Sequence, residues 1–107
     1  MLKFIVVLYK RQDLSAEHFR NYFRTVHGPL AERLPDLRRY VQNFVAEDAH
    51  RKHPGWDAVV ELYFDDRASM EAAWASPEGI AATEDLKNLA DLERSSWSVV
   101  EECVVRA

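Results

Sequence analysis

The chain has 107 residues, which is enough for one hydrophobic core and too few for two, so we expect a single domain over residues 1–107. Hydrophobic residues make up 48% and charged residues 30%, a balance typical of a globular protein. The net charge of −4 comes from 14 basic and 18 acidic residues spread along the chain. No basic cluster is dense enough to contact a phosphate backbone, so nucleic acid is not expected as a partner.

Three features bear on the cellular compartment. Cys103 is the only cysteine, so an internal disulfide is excluded and a reducing compartment is expected. The N-terminal apolar run is only about seven residues long and lacks a small-residue cleavage site, so it predicts a strand rather than a signal sequence. No stretch approaches the roughly 20 apolar residues of a membrane span. We therefore expect a soluble, cytoplasmic protein with no membrane partner.

The first third of the chain predicts a strand followed by a helix. "KFIVVLY" is rich in β-branched and aromatic residues and predicts a strand over Lys3–Tyr9. Ser15 is a good helix N-cap, and apolar residues at helical spacing predict a helix from about Ala16 to His27. Gly28-Pro29 is expected to interrupt this helix, with a broken continuation to about Leu34, although Pro29 could also open a second short helix.

The rest of the chain predicts two strands, a second helical region and a last strand. Strands are predicted over Arg38–Val45 and Asp57–Phe64, with a polar loop containing Pro54-Gly55 between them. Asp66 is expected to cap a helix that breaks at Ser76–Gly79. The helical pattern then resumes through four apolar residues: Ile80, Leu86, Leu89 and Leu92. Trp97–Val105 predicts the last strand, with Cys103 as an inert thiol in the core.

The order β-α-β-β-α-β predicts an α+β fold of the ferredoxin-like type, a four-stranded antiparallel sheet with its helices on one face. The first strand is apolar on both faces, since Phe4 and Val6 alternate with Ile5 and Val7. The third predicted strand has the same property. Two helical regions cover only one face, and soluble monomers avoid a large exposed apolar patch. The pattern therefore predicts a homodimer in which two sheets pack face to face.

Several segments together resemble a known family. "FRNYFRTVHGPL" followed by "LPDLRRYVQN", the opening "MLKFIVVLYKRQDLSAEHF", and "SMEAAWASPEGIAATEDLKNLAD" are similar to the EthD family of dimeric α+β barrel proteins. The resemblance covers nearly the whole chain and implies the ferredoxin-like fold and the face-to-face dimer. Family members are linked to ether degradation, lactone isomerisation and polyketide cyclisation. The resemblance therefore implies a cofactor-independent enzyme that acts on a small hydrophobic metabolite of aromatic, lactone or polyketide-like type. The alternative is a non-catalytic protein that binds a small ligand or serves as an accessory protein.

His27 is the first candidate catalytic residue. It follows Phe23 by four residues and Phe19 by eight, so the ring is expected to point toward the seam between helix and sheet. A neutral imidazole there can exchange a proton near neutral pH. Spacing alone favours the alternative, a histidine that caps the end of the helix. The resemblance implies the catalytic interpretation.

Tyr40 is the second candidate catalytic residue. It lies on the same face of the second predicted strand as Gln42 and Phe44. The resemblance implies a tyrosine near the active histidine, where its phenol could hydrogen-bond a substrate carbonyl or enolate. A core aromatic with its hydroxyl at the surface is the alternative, and the residues do not decide between the two.

Other side chains are candidates for a substrate pocket. An apolar pocket for a flat ligand could be lined by four aromatic residues: Phe23, Trp56, Tyr63 and Trp74. Most aromatics at such spacings belong to the core. Asp85 lies on a partly apolar helical face and could orient His27 or bond an arginine, although an aspartate at the surface edge is favoured. Glu61 belongs either to the central space of the dimer or to an edge.

No cofactor is expected. His50 and His53 have a spacing that could suit a metal, but they flank two basic residues, and no acid-rich or Cys-rich stretch supplies further ligands. With three glycines, the chain has no Gly-rich phosphate loop. Haem stays open as a ligand, because related dimeric barrels bind it through a histidine.

Overall fold

The computed structural model describes residues 1–50 and 55–107. The strands are β1 (Leu2–Leu8), β2 (Arg39–Phe44), β3 (Ala58–Phe64) and β4 (Ser96–Glu101). The helices are α1 (Ala16–Tyr22), α2 (Gly28–Glu32), α3 (Arg67–Ala75) and α4 (Pro77–Asp85). A π-helical turn (Phe23–His27) joins α1 to α2, and a 3-10 turn (Leu86–Asn88) follows α4. The predicted order of strands and helical regions is confirmed.

The four strands form one antiparallel sheet in the order β2-β3-β1-β4. β1 lies in the middle, and its Phe4 stands opposite Leu62 of β3 and Val99 of β4. The two β-α-β units are thus interleaved, which is the ferredoxin-like arrangement that the sequence predicts.

The two faces of the sheet have different surroundings. On one face the helices cover four fully buried residues of β3: Ala58, Val60, Leu62 and Phe64. Phe19 and Phe23 pack into the same core from the helical side. On the other face Val59, Glu61 and Tyr63 are half-buried, and no helix among residues 1–50 and 55–107 covers them. We call this second side the open face.

Gly28-Pro29 does not interrupt the helical path, so that prediction is wrong. Gly28 has helical angles, φ −52° and ψ −53°, and its N–H bonds to the Phe23 carbonyl five residues earlier. Pro29 lies in the first turn of α2, where the missing N–H is no loss, as the alternative interpretation proposed. The widened π turn shifts the hydrogen bonding by one residue directly before the proline, and this accommodates the two helix breakers.

The break between α3 and α4 is shorter than predicted. Only Ser76 leaves the helical region, and its Oγ accepts a hydrogen bond from the N–H of Gly79 at 3.1 Å. Gly79 lies inside α4, and a Cβ at this position would stand 2.7 Å from Cα of Trp74 and still closer to the Ala73 carbonyl. Gly79 therefore permits the close approach of α3 and α4. Ile80, predicted to be on the apolar stripe, is 57% exposed.

The last strand is shorter than predicted. β4 pairs with β1 only as far as Glu101, which stands opposite Leu2, so the sheet ends where β1 begins. Cys103 lies beyond this point and is exposed, and its predicted place in the core is wrong. Among the described residues, no helix is both long and apolar enough to cross a bilayer.

Candidate functional site

The π turn carries His27 into the protein interior. The residue is 6% exposed, and its ring packs edge-on against the ring of Phe23 at a centroid distance of 5.2 Å. The ring bonds to a side chain of α4. The capping interpretation of His27 is therefore wrong: its ring bonds to a carboxylate, and the helical path continues past it into α2.

Asp85, the last residue of α4, holds the His27 ring. Its Oδ2 lies 3.0 Å from Nδ1 of His27. Its Oδ1 accepts hydrogen bonds from the Tyr22 hydroxyl at 2.6 Å and from Nδ2 of Asn88 at 3.0 Å. The four side chains come from α1, the π turn, α4 and the 3-10 turn, and we call them the His27 cluster. The cluster fixes the carboxylate from both sides, so the position of the ring is fixed as well.

The surroundings set the protonation states of this cluster. Burial lowers the pKa of His27 below 6.5, and the bond to Asp85 opposes this shift without cancelling it. Burial acts to raise the pKa of Asp85, but the hydrogen bonds from Tyr22, Asn88 and His27 outweigh it and hold this pKa below its ordinary value. At neutral pH the carboxylate is ionised and the imidazole is neutral. An ionised carboxylate only accepts hydrogen bonds, so Nδ1 carries the proton and Nε2 carries the lone pair.

This tautomer is the one that a general base requires. Within residues 1–50 and 55–107, Nε2 of His27 makes no hydrogen bond, so no side chain or backbone group there donates to its lone pair. The preference for Asp85 at the surface edge is wrong, since its side chain is only 10% exposed. The structure instead places this carboxylate against His27, which was the other option.

Tyr22 and Asn88 were missed from the sequence. Asn88 follows Asp85 by three residues, a spacing that puts both on one face of a helix and is a readable signal. Tyr22 precedes His27 by five residues, which in an α-helix would separate their directions by about 140°. The π turn adds one residue to the turn and brings both onto the side that faces α4.

Tyr40 belongs to a second polar group on the other side of the π turn. The Nε2 atom of Gln42 donates to the Phe23 carbonyl at 3.1 Å and to the Tyr40 hydroxyl oxygen at 2.8 Å. The same carbonyl accepts the N–H of Gly28 that closes the π turn. Burial raises the pKa of Tyr40 to about 12, which the bond from Gln42 partly opposes. The phenol therefore stays protonated at neutral pH.

A cavity of about 650 Å³ opens beside Tyr40. It lies between the helical segment and β2, and its walls are formed by Arg24, Gly28, Pro29, Glu32, Leu37, Arg38, Arg39, Tyr40 and Gln42. It is widely open to solvent, and most of its exposed lining is polar. His27 does not line this cavity. The two candidate catalytic side chains, His27 and Tyr40, thus lie on opposite sides of the π turn. Phe23 contacts both sides, because its ring packs on His27 and its carbonyl accepts a hydrogen bond from Gln42 beside Tyr40.

The predicted aromatic pocket does not form within a single chain. Phe23 is a core residue, 1% exposed, and Tyr63 lies on the open face. Trp74 packs on the first strand, whereas Trp56 lines an open groove beside α1. Asp85 belongs to the His27 cluster. Tyr63 is on the open face, and the other four residues, although they are on the helical side, pack against different neighbours.

Glu61 is part of an ionic group on the open face. Nζ of Lys3 lies 2.8 Å from Glu61 and 2.8 Å from Glu102. The two carboxylates raise the pKa of Lys3, and hydrogen bonds from Lys3 and Asn43 lower the pKa of Glu61. Lys3, Glu61 and Glu102 are therefore paired with one another within the chain.

The structure gives no support for a metal site in the part of the chain that it describes. Residues 1–50 and 55–107 contain no group of three or more His, Cys, Asp or Glu side chains that could hold a metal ion. His53, the second histidine of the predicted spacing, lies outside the described residues, as does Pro54. The His27 cluster offers one imidazole nitrogen, which by itself does not distinguish haem from a substrate as its ligand.

Comparisons with known proteins identify the family and the fold. A family model described as EthD domain matches residues 11–93. An uncharacterised 11.0 kDa protein from the thcB–thcC intergenic region of Rhodococcus erythropolis is 31% identical over 72 residues, which are 67% of this chain and 69% of that protein. The resemblance inferred from the sequence motifs is thereby confirmed.

Solved structures share the whole fold. An EthD family protein from Bacillus halodurans superposes with a TM-score of 0.80 at 22% identity, over 96% of this chain and 100% of that one. A dimeric protein of ferredoxin-like fold from Bacteroides fragilis gives a TM-score of 0.69 at 17% identity, over 94% and 95% of the two chains. SnoaB, a cofactor-independent oxygenase from Streptomyces nogalater, gives 0.67 at 13% identity, over 98% and 97%. At these identities the likeness establishes the fold and not the reaction.

Proposed function

This chain belongs to the EthD family, and we propose that it is a small acid–base enzyme acting without a cofactor on an aromatic, lactone or polyketide-like metabolite. The observation that carries the proposal is the bond between His27 and Asp85. A buried, neutral imidazole whose tautomer is fixed by a carboxylate is the arrangement of a general base. SnoaB, which shares the fold, is a cofactor-independent oxygenase, so the fold is compatible with chemistry that needs no cofactor.

The reaction class that fits these residues is proton abstraction next to a carbonyl. Nε2 of His27 takes the proton, and Asp85 stabilises the imidazolium that forms, as an orienting residue that does not react. Tyr40 lines a separate pocket across the π turn, so its phenol, protonated at neutral pH, can donate a hydrogen bond to the developing enolate oxygen only after the side chains between the two sites have moved. Return of the proton to another carbon gives isomerisation, and attack of the enolate on a second carbonyl gives cyclisation. Because the ring is 6% exposed, the side chains over it must move to admit a substrate.

A homodimer is part of the proposal. The open face carries five half-buried aliphatic residues: Ile5, Val7, Val41, Val59 and Val100. Lys3 pairs with both Glu61 and Glu102 within the chain, so these three charges keep their partners when the face is covered. The protein of the same fold from Bacteroides fragilis is described as dimeric. We propose that two copies pack through this face, and, from the single cysteine, that the protein works in the reducing cytoplasm.

The enzyme proposal is tested by replacing His27→Gln, which keeps a hydrogen-bonding side chain and removes its titration. A suitable probe is α-angelica lactone, whose isomerisation to the conjugated β isomer requires removal of a proton next to the lactone carbonyl. Turnover followed by NMR is expected to fall by roughly 10²- to 10⁴-fold in the variant. His18→Gln, an exposed histidine on α1, is the matched control and is expected to keep full turnover.

The outcomes separate the two candidate functions. Turnover that survives His27→Gln contradicts the assignment of His27 as the base. If the native protein binds the lactone without converting it, and the His27→Gln variant binds it equally well, the chain is a ligand-binding protein and the enzyme proposal is wrong.

A further inference from the structure

Gln42 donates two hydrogen bonds through its side-chain amide, one to the Phe23 carbonyl and one to the Tyr40 hydroxyl oxygen. The oxygen and nitrogen of a glutamine amide are told apart by their partners. The Phe23 carbonyl can only accept a hydrogen bond, so the amide atom 3.1 Å away is the nitrogen. That nitrogen has a second proton, and the Tyr40 oxygen lies 2.8 Å from it. The Tyr40 oxygen is therefore an acceptor toward Gln42.

An acceptor contact leaves the phenol's own proton uncommitted. A tyrosine hydroxyl has one proton to donate and can accept at its oxygen at the same time. Within the part of the chain that the structure describes, no group accepts the proton of Tyr40. Both Tyr40 and Gln42 line the 650 Å³ cavity, which is where a free donor can find a partner.

Gly28 makes room for this arrangement. A Cβ at position 28 would stand 3.2 Å from Nε2 of Gln42 and 3.2 Å from the Phe23 carbonyl oxygen, closer than ordinary contact. Glycine costs helix stability relative to alanine, yet it occupies this helical position. Its absent side chain lets the amide of Gln42 reach the carbonyl that closes the π turn.

We infer that Gln42 is a positioning residue whose amide, by donating to Tyr40, directs the phenol proton into the cavity and selects ligands that present an acceptor oxygen, such as a carbonyl or an enolate. The inference rests on the proposed function for its chemistry and adds the substrate class that the Tyr40 side of the site accepts. Without the amide donor, the O–H of Tyr40 has no fixed direction. A carboxylate in place of the amide accepts the phenol proton and turns it away from the cavity.

The first test needs no ligand. Tyrosine labelled with ¹³C at Cζ gives one resonance for each tyrosine, and Tyr40→Phe identifies that of Tyr40. In Gln42→Glu the introduced carboxylate accepts the phenol proton, so the Tyr40 resonance is expected to move downfield, toward the phenolate position. Gln12→Glu adds the same charge at an exposed turn and is expected to leave the resonance in place. An unmoved resonance in Gln42→Glu overturns the inference.

The second test measures selectivity with two probes of one shape. Acetophenone presents a carbonyl oxygen where α-methylstyrene has a CH₂ group. The native protein is expected to bind acetophenone roughly fivefold more tightly, which is the contribution of one hydrogen bond. This ratio is expected to fall to about one in Tyr40→Phe and in Gln42→Glu, with Tyr40 still present in the latter. A ratio near one in the native protein, or an unchanged ratio in Gln42→Glu, contradicts the inference.

Two further variants keep the test decisive. If Gln42→Glu does not fold, the nearly isosteric Gln42→Met removes the donor without adding charge and is expected to lower the same ratio, because nothing then fixes the direction of the phenol proton. His27→Gln separates this inference from the proposed reaction. This variant is expected to abolish turnover and to leave the ratio of acetophenone to α-methylstyrene affinity unchanged. A wrong assignment of His27 as the base would therefore appear in turnover, and a wrong assignment of Tyr40 and Gln42 would appear in the affinity ratio.

Discussion

The carboxylate of Asp85 lies 3.0 Å from Nδ1 of His27, although 58 residues separate them along the chain. The contact joins the end of α4 to the π turn between α1 and α2. Its surroundings keep the carboxylate ionised and the ring neutral. The contact leaves the lone pair of His27 on Nε2, where the proposed reaction needs a base, and it couples the protonation of the two groups. The first two predictions follow from this.

Replacing Asp85→Asn is expected to lower turnover and stability together. Asparagine has no charge with which to stabilise the proton on Nδ1 of His27. The ring therefore also populates the other tautomer, in which Nε2 carries the proton and the lone pair on Nδ1 faces α4. We expect turnover of the lactone probe to fall by roughly tenfold or more. Unfolding free energy is expected to drop by about 1–3 kcal/mol, because three hydrogen bonds to a buried carboxylate are weakened.

The readout specific to tautomer is ¹⁵N NMR of the histidine ring. Native His27 is expected to show protonated Nδ1 and unprotonated Nε2, and Asp85→Asn is expected to show a mixture. Glu84→Gln, which removes an exposed carboxylate one residue earlier, is the control. A native spectrum with the proton on Nε2 would contradict the proposed role of Asp85.

The lowered pKa of His27 predicts how stability changes with pH. Between the folded pKa of His27 and pH 6.5 the unfolded chain binds a proton at this histidine while the folded protein does not, so the unfolded state holds more protons. The contribution to stability is therefore present above pH 6.5 and is lost as the pH falls through the folded pKa. Turnover is expected to fall over the same range, because protonation removes the base.

This prediction is measured by urea unfolding between pH 7.5 and pH 5, a window above the ordinary pKa of aspartate. His27→Gln is expected to flatten the dependence of unfolding free energy on pH, and the exposed His18→Gln is expected to keep it. Equal slopes for native protein and His27→Gln would show that His27 titrates alike in both states.

Gly79→Ala is expected to destabilise the protein even though alanine favours helix. The added methyl group would meet backbone atoms of Ala73 and Trp74, which cannot rotate away as a side chain does. Overpacking of this kind costs about 1–3 kcal/mol, more than the roughly 1 kcal/mol gained in helix propensity. Chemical denaturation measures the difference, with the exposed Glu78→Ala on the same helix expected to lie within about 0.5 kcal/mol of native. A more stable Gly79→Ala would mean that α3 and α4 are farther apart.

Val59→Lys is expected to separate the proposed dimer. Val59 lies on the open face opposite Val7, and a lysine there places a charge in the middle of the apolar contact, next to its symmetry mate. The variant is expected to sediment as a monomer at micromolar concentration, where the native protein sediments as a dimer. Ile80→Lys, on α4 and 57% exposed, adds the same charge and is expected to stay dimeric. A dimeric Val59→Lys would place the interface elsewhere.

The strands, the N-caps and the order of elements follow from the sequence alone, because they depend on neighbours close along the chain. The alternation in β3 predicts which residues the helices bury, and Ser15 and Asp66 cap the helices that they were expected to cap. The conflict between a sheet that is apolar on both faces and helices on only one side was also visible in the sequence. Strand alternation, the N-caps and the order of elements were enough to predict the fold, and the sequence motifs indicated the family.

The candidate site was decided by tertiary structure. One added residue in the π turn rotates His27 away from the direction that a regular helix gives it and aligns it with Tyr22, and spacing rules assume a constant turn. Asp85 looked like a surface residue because its partners lie on α1 and the π turn, far away in sequence. The predicted aromatic pocket failed for the same reason. Which side chains share a cavity depends on the packing of distant elements, and no local pattern records it.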